Sequence, residues 1–177
     1  FGTLFNIYSF FALYANIDGF NFKDDLIPYE ERPEIDRWII SKLNALVEEY
    51  EQLMNDYDVT KAARAVSNYT IDQLSNWYVR RSRRRFWKSD MNKEKLSAYQ
   101  TLYECLSTLC KLTAPFAPFI SEAIYLDLNG ETNREKYESV HLTGFPKVTY
   151  RDKTLEEKME VAQNVVYLTR AIRAKSN

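Results

Sequence analysis

Apolar residues recur every three to four positions along most of the chain, the period of an amphipathic helix, and polar turn signals break that recurrence into segments. Leu4, Ile7, Phe11 and Tyr14 mark a first helix that stops near Asp18-Gly19. A polar, irregular connection runs through Lys23-Asp24-Asp25 to Pro28 and Pro33. Ile35, Trp38, Ile39, Leu43, Leu46, Val47 and Tyr50 then mark a second helix, with an acidic end at Glu48-Glu49-Tyr50-Glu51. After Asp56-Tyr57-Asp58, Thr60 is placed to cap a long third helix that passes through Ala63, Val66, Ile71 and Leu74. A fourth helix starts after Asp90-Met91-Asn92 and carries Leu96, Tyr99, Leu102, Tyr103, Leu106 and Leu109. Pro115 and Pro118 end it and open a short fifth helix from about Phe119 to Leu128. Phe116 and Phe119, flanking Pro118, are expected to be core anchors.

Beyond Gly130 the period weakens. The β-branched and turn residues of Tyr137–Pro146 suit an extended tail laid over the bundle. Helical spacing returns from Asp152 to Lys175 through Leu155, Met159, Ala162, Val165, Val166 and Leu168. The expected organisation is an antiparallel helix bundle over 1–130, an extended connection over 131–150, and a C-terminal helix over 151–177. That last helix either packs on the bundle or opens a following unit. Only four Gly and five Pro among 177 residues fit an all-α fold better than a sandwich of short strands.

Charge changes the picture at one place. Formal net charge is only -1, yet Trp77-Tyr78-Val79-Arg80-Arg81-Ser82-Arg83-Arg84-Arg85-Phe86-Trp87-Lys88 concentrates cations and aromatics at the end of the third helix. At about 100° per residue, Arg80, Arg81, Arg84, Arg85 and Lys88 share a sector with Trp77, while Val79, Ser82 and Phe86 take the opposite side. Two kinds of partner fit that sector. Guanidinium groups grip phosphate oxygens in a planar fork, and an indole can take a stacked base. Alternatively, the cations pair with some of the chain's own 25 Asp and Glu. Arg83 lies at the edge of the apolar flank, where a carboxylate or another domain competes with RNA. Trp38 and Trp87 are expected in the core or at a domain interface.

Catalytic groupings are missing. Cys105 and Cys110 are five residues apart, on different helix faces and at no metal-ligand spacing, so they read as reduced, buried thiols of a cytoplasmic protein. His141, the single histidine, has no positioned Cys or Ser neighbour and is expected in a hydrogen-bonded structural role. Gly2, Gly19, Gly130 and Gly144 stand apart, without a phosphate loop or dinucleotide fingerprint. No cofactor or metal site is expected in these residues. The apolar start is broken by Thr3, Asn6 and Ser9 before it could span a bilayer, and the opening at Phe1 reads as an internal piece of a longer protein.

Three strings carry a family resemblance: Arg32–Asn44 (RPEIDRWIISKLN), Leu74–Trp87 (LSNWYVRRSRRRFW) and Leu112–Glu122 (LTAPFAPFISE). With Glu138-Ser139-Val140-His141-Leu142 and Phe145-Pro146 after them, they resemble the region following the catalytic core of isoleucyl-tRNA synthetases. The arginine-rich string is similar to the eukaryote-like branch, which some bacteria also carry. The resemblance implies an all-α anticodon-binding domain of the class I synthetase type. It implies as partners the isoleucine tRNA and the catalytic domain of the same parent chain. The parent would be a ligase that uses ATP and Mg, whereas this fragment, which lacks the His-Ile-Gly-His and Lys-Met-Ser-Lys-Ser motifs, would be a monomeric binding module without catalysis or cofactor of its own. On that reading Arg80, Arg81, Arg84, Arg85 and Lys88 contact tRNA phosphates and Trp77 stacks. The alternative is a helical docking module whose basic helix meets the synthetase core or an accessory protein, with RNA bound elsewhere.

Overall fold

A computed structural model describes residues 2–22 and 25–175, so the Lys23-Asp24 part of the irregular connection lies outside the described residues. The helices are α1 Gly2–Asp18, α2 Glu34–Asn55, α3 Val59–Asn68, α4 Arg80–Phe86, α5 Lys93–Thr113, α6 Pro118–Thr132 and α7 Lys153–Lys175, and a π-helical segment, Tyr69–Val79, joins α3 to α4 without a break. Among the described residues there is no strand. The all-α bundle read from the apolar period is the observed fold.

The centre is α5. Packed against α1, α2, α3, α4 and α6, it buries apolar residues on almost every side, including Ala98, Tyr99, Leu102, Cys105, Leu106, Leu109 and Leu112. A helix enclosed this way must also satisfy its polar side chains internally. Gln100 does so by accepting from the Ile27 N–H and donating to the Asp25 carbonyl, which ties the irregular connection to the core. Asn92 caps α5 by accepting from the Lys95 N–H at 2.9 Å. The Lys95 ammonium, buried beneath, pairs with Asp18 at 2.6 Å and so links the end of α1 to the start of α5.

Several local expectations are corrected. Thr60 lies inside α3 rather than capping it; Asp58 precedes the first turn, its carbonyl accepting from the Ala62 N–H and its carboxylate pairing with Lys61. Phe119 is 89% exposed instead of a core anchor. Pro118 starts α6, whose buried stripe is Ser121, Ile124, Tyr125 and Leu128, and Phe119 falls on the other face. Phe116 is half-buried, edge-on to Tyr50 with ring centroids 6.1 Å apart. The fifth helix also runs four residues past Leu128, to Thr132, where Asn133 stops it in the left-handed conformation at φ 50.

After α6 the chain lies over the bundle with a single 3-10 turn, Val140–Leu142. Val140 is buried, and its N–H and the Ser139 hydroxyl both donate to Glu122. His141 is exposed; its backbone N–H donates to the Ser139 hydroxyl, and among the described residues its ring makes no hydrogen bond. Farther on, the Thr149 N–H donates to Asn44 and Arg151 pairs with Glu48 and Glu156, which brings α7 onto α2 with Leu155 buried. Gln163 reaches Gln73 of the π-helical segment at 3.0 Å. Beyond it Val165, Tyr167 and Leu168 are exposed.

Candidate nucleic-acid interface

The basic run is the end of one continuous helical rod. Through Tyr69–Val79 the rod is wound as a π-helix, with the Arg80 N–H donating to the Ser75 carbonyl five residues back. Such winding is rare and frequently accompanies functional sites. Leu74, Tyr78 and Val79 point inward from it, and α4 continues the inward stripe with Ser82, Arg85 and Phe86. Phe86 is gripped by Phe10 and Tyr99, both edge-on at about 5 Å. Anchored on that side, α4 turns its remaining side chains to solvent.

Arg80, Arg81, Arg83 and Arg84 are exposed, and among the described residues none of them has a carboxylate partner. Lys88 is half-exposed, and among the described residues its ammonium pairs with Glu94 at 3.3 Å. Arg81 instead lies over the Trp77 indole, its guanidinium carbon 3.9 Å from the ring centroid. Trp77 is half-buried, packs against the core, and keeps its Nε1 buried without a hydrogen-bond partner among the described residues. Trp38 is a core residue, whereas Trp87 follows the last turn of α4 and is 58% exposed.

Arg85 behaves differently from its neighbours. It is buried, and its two terminal nitrogens donate to the two oxygens of Asp36, each at 2.6 Å, with a further bond to the Glu94 carbonyl. Asp36, fully buried in the first turn of α2, also accepts from the Tyr78 and Ser97 hydroxyls. One carboxylate thus joins α2, the π-helical segment, α4 and α5. Burial opposes the Arg85 charge, but the Asp36 hydrogen bonds outweigh it and hold the guanidinium above its ordinary range. Burial, reinforced by Asp36, likewise keeps the Tyr78 phenol protonated well beyond the usual value. Arg85 therefore drops out of the solvent-facing cations. On the helix it lies about 40° round from Arg81, next to the inward Tyr78 and Ser82. Asp36 carries the signal that sequence reading passed over: it shares a helical stripe with Ile39, Ile40, Leu43 and Val47, and a carboxylate in an apolar stripe requires buried donors.

A cleft of about 360 Å³ lies between α1 and α6, lined by Tyr8, Phe11, Asp127 and Thr132, and it contains none of these residues. Among the described residues no group of three or more His, Cys, Asp or Glu is placed to hold a metal. The solvent face of α4 carries Arg80, Arg81, Arg83 and Arg84.

An all-helical bundle that presents four exposed arginines on one short helix is the architecture of a helical binding domain with a cationic surface. The chain belongs to the family of the anticodon-binding domain of tRNA ligase, which it matches over residues 36–177. It is 54% identical over 179 residues to the isoleucine--tRNA ligase of Bacteroides fragilis, covering all of this chain and 16% of that protein. The corresponding ligases of Bacteroides thetaiotaomicron and Porphyromonas gingivalis are 52% and 51% identical, again over the whole chain and over 15% of each relative. The chain thus spans about a sixth of the length of these relatives.

Proposed function

We propose that the α4 face is where this anticodon-binding domain meets the phosphates of the anticodon stem and loop, with Arg80, Arg84 and Lys88 as the contact row. The observation that carries this reading is the run of exposed arginines without carboxylate partners on a helix clamped from behind by Asp36 and Arg85. Unneutralised like charges this dense cost free energy unless an anion meets them. Phosphate contacts of this kind fix register and leave sequence to be read elsewhere. Arg83, on the same exposed helix, is available to RNA or to another domain; Arg85, held by Asp36, is not part of the row.

The parent chain, on this reading, is an isoleucine-tRNA ligase that joins isoleucine to its tRNA with ATP, in the cytoplasm. Its catalytic domain would hold ATP and Mg. Among the described residues no helix is long and apolar enough to cross a membrane. We take the domain as monomeric on its own. We assign the parent to the eukaryote-like branch on the arginine-rich string and the ordered set of strings; the relatives reported above are bacterial.

The exposure of the arginines argues against their being spent on the bundle's own carboxylates; a docking surface for the synthetase core or an accessory protein, with RNA bound elsewhere, would be exposed as well, and the salt dependence of tRNA binding separates the two. The test is to replace Arg80, Arg84 and Lys88 together with Gln in the parent ligase. Every tRNA should bind more weakly by a similar factor, and the slope of log affinity against log salt should flatten by about 2. An unchanged slope would move the RNA face off α4.

A further inference from the structure

The geometry points to Arg81, rather than Trp77, as the surface on which an unpaired RNA base stacks. This rests on the reading of α4 as the tRNA face and names a subsite within it. At 3.9 Å from the indole centroid, the Arg81 guanidinium is at contact distance, so nothing else fits between them and that face of the ring is taken. The indole is half-buried, packs against the core and has its Nε1 buried. One face of Trp77 is thus covered by Arg81, and the residue offers a base less open surface than the exposed guanidinium does. Arg81, in contrast, is exposed and has no carboxylate partner among the described residues.

A guanidinium backed by an indole is planar, weakly hydrated and already restrained, so a second π-system can lie on its outer side with little further ordering. Unpaired bases of RNA loops are held on guanidinium planes as well as on aromatic rings. Trp77 becomes the positioning residue: it fixes the plane of Arg81 and does not touch the RNA. The ligand class is a splayed, single-stranded nucleobase, adjacent to the phosphate row of Arg80, Arg84 and Lys88.

The parent ligase carrying Arg81→Lys or Arg81→Gln, titrated with a transcript of the isoleucine tRNA, tests this assignment. Lys keeps the charge and loses the plane, so Arg81→Lys should weaken binding about tenfold with the salt slope unchanged. Trp77→Phe should be mild, because a ring still backs the guanidinium. Trp77→Ala should weaken binding like Arg81→Lys, and the double variant should be no worse than either. Among transcripts with a single abasic nucleotide in the anticodon loop, one position should abolish the effect of Arg81→Lys. If Arg81→Lys binds like the unsubstituted protein while Arg81→Gln flattens the slope by about 1, Arg81 is a phosphate contact and the stacking assignment is wrong. If Trp77→Ala weakens binding in the Arg81→Lys background by a further factor of ten, the indole meets RNA directly and the assignment is equally wrong. A triple Arg80, Arg84 and Lys88 substitution that leaves the slope unchanged would instead remove the α4 reading itself.

Discussion

Arg84 and Arg85 are neighbours of the same residue type with opposite fates, and a single buried carboxylate separates them. Arg84 faces solvent, while Arg85 closes a fork on Asp36, which receives two further hydroxyl donors. Breaking such a pair leaves a charge without compensation in a dry site, a loss of about 3–5 kcal/mol. We therefore expect Asp36→Leu, which strands Arg85, Tyr78 and Ser97 together, to lower unfolding free energy by about that amount in denaturant titration. Arg84→Gln should stay within about 0.5 kcal/mol. Equal effects of the two substitutions would mean that the Asp36 network does not hold α4. The basic run was visible in the sequence as a single patch, but which of its cations is exposed was not. That depends on Asp36, 49 residues away along the chain, and periodicity along one helix contains no term for a partner on another.

At the scale of the element, the apolar period located the helices because α1, α2, α3, α4 and α6 each bury a stripe against α5 and α7 sets its buried Leu155 on α2. It failed where something other than that stripe sets the outcome. Phe119 is apolar in composition but sits on the outer face of α6, since the Pro118 start fixes the helix phase. The π winding of Tyr69–Val79 was also invisible, because no residue type signals it and a count at 100° per residue drifts through a wider turn. The start of α5 was legible: Asn92 was read as the boundary, and its side chain caps the first turn. Removing that cap with Asn92→Ala should cost about 1 kcal/mol, read from the denaturation midpoint. Because the same turn carries Lys95 into its pair with Asp18, a zero effect would show that the α1–α5 link alone sets the helix start.

For the whole molecule, the same enclosure that makes α5 the centre puts weakly acidic groups where their ionised forms are not solvated. Burial raises the Cys110 thiol from 9.0 to about 12 and pushes Cys105 higher still. Burial together with Glu104 raises the Tyr29 phenol from 10.0 to about 12, and burial keeps Tyr69 and Tyr78 protonated well above their usual value. The sign follows from linkage: a group whose pKa is higher in the folded state than in the unfolded chain contributes stability that is complete below the unfolded value. That stability is lost as pH rises toward the folded value. The thermal midpoint should therefore be level in this respect below about pH 9, the unfolded thiol value, and then fall steadily toward pH 12. Both cysteines, free and buried, should resist alkylation at pH 8 in the folded protein and react together once denaturant is added, because only the thiolate attacks. Phenolate absorbance should rise in step with loss of helix above pH 10, as the buried tyrosines ionise only on opening. A thermal midpoint unchanged to pH 11, or thiols that react at pH 8 without unfolding, would mean that water reaches α5 and that the centre of the bundle is not sealed.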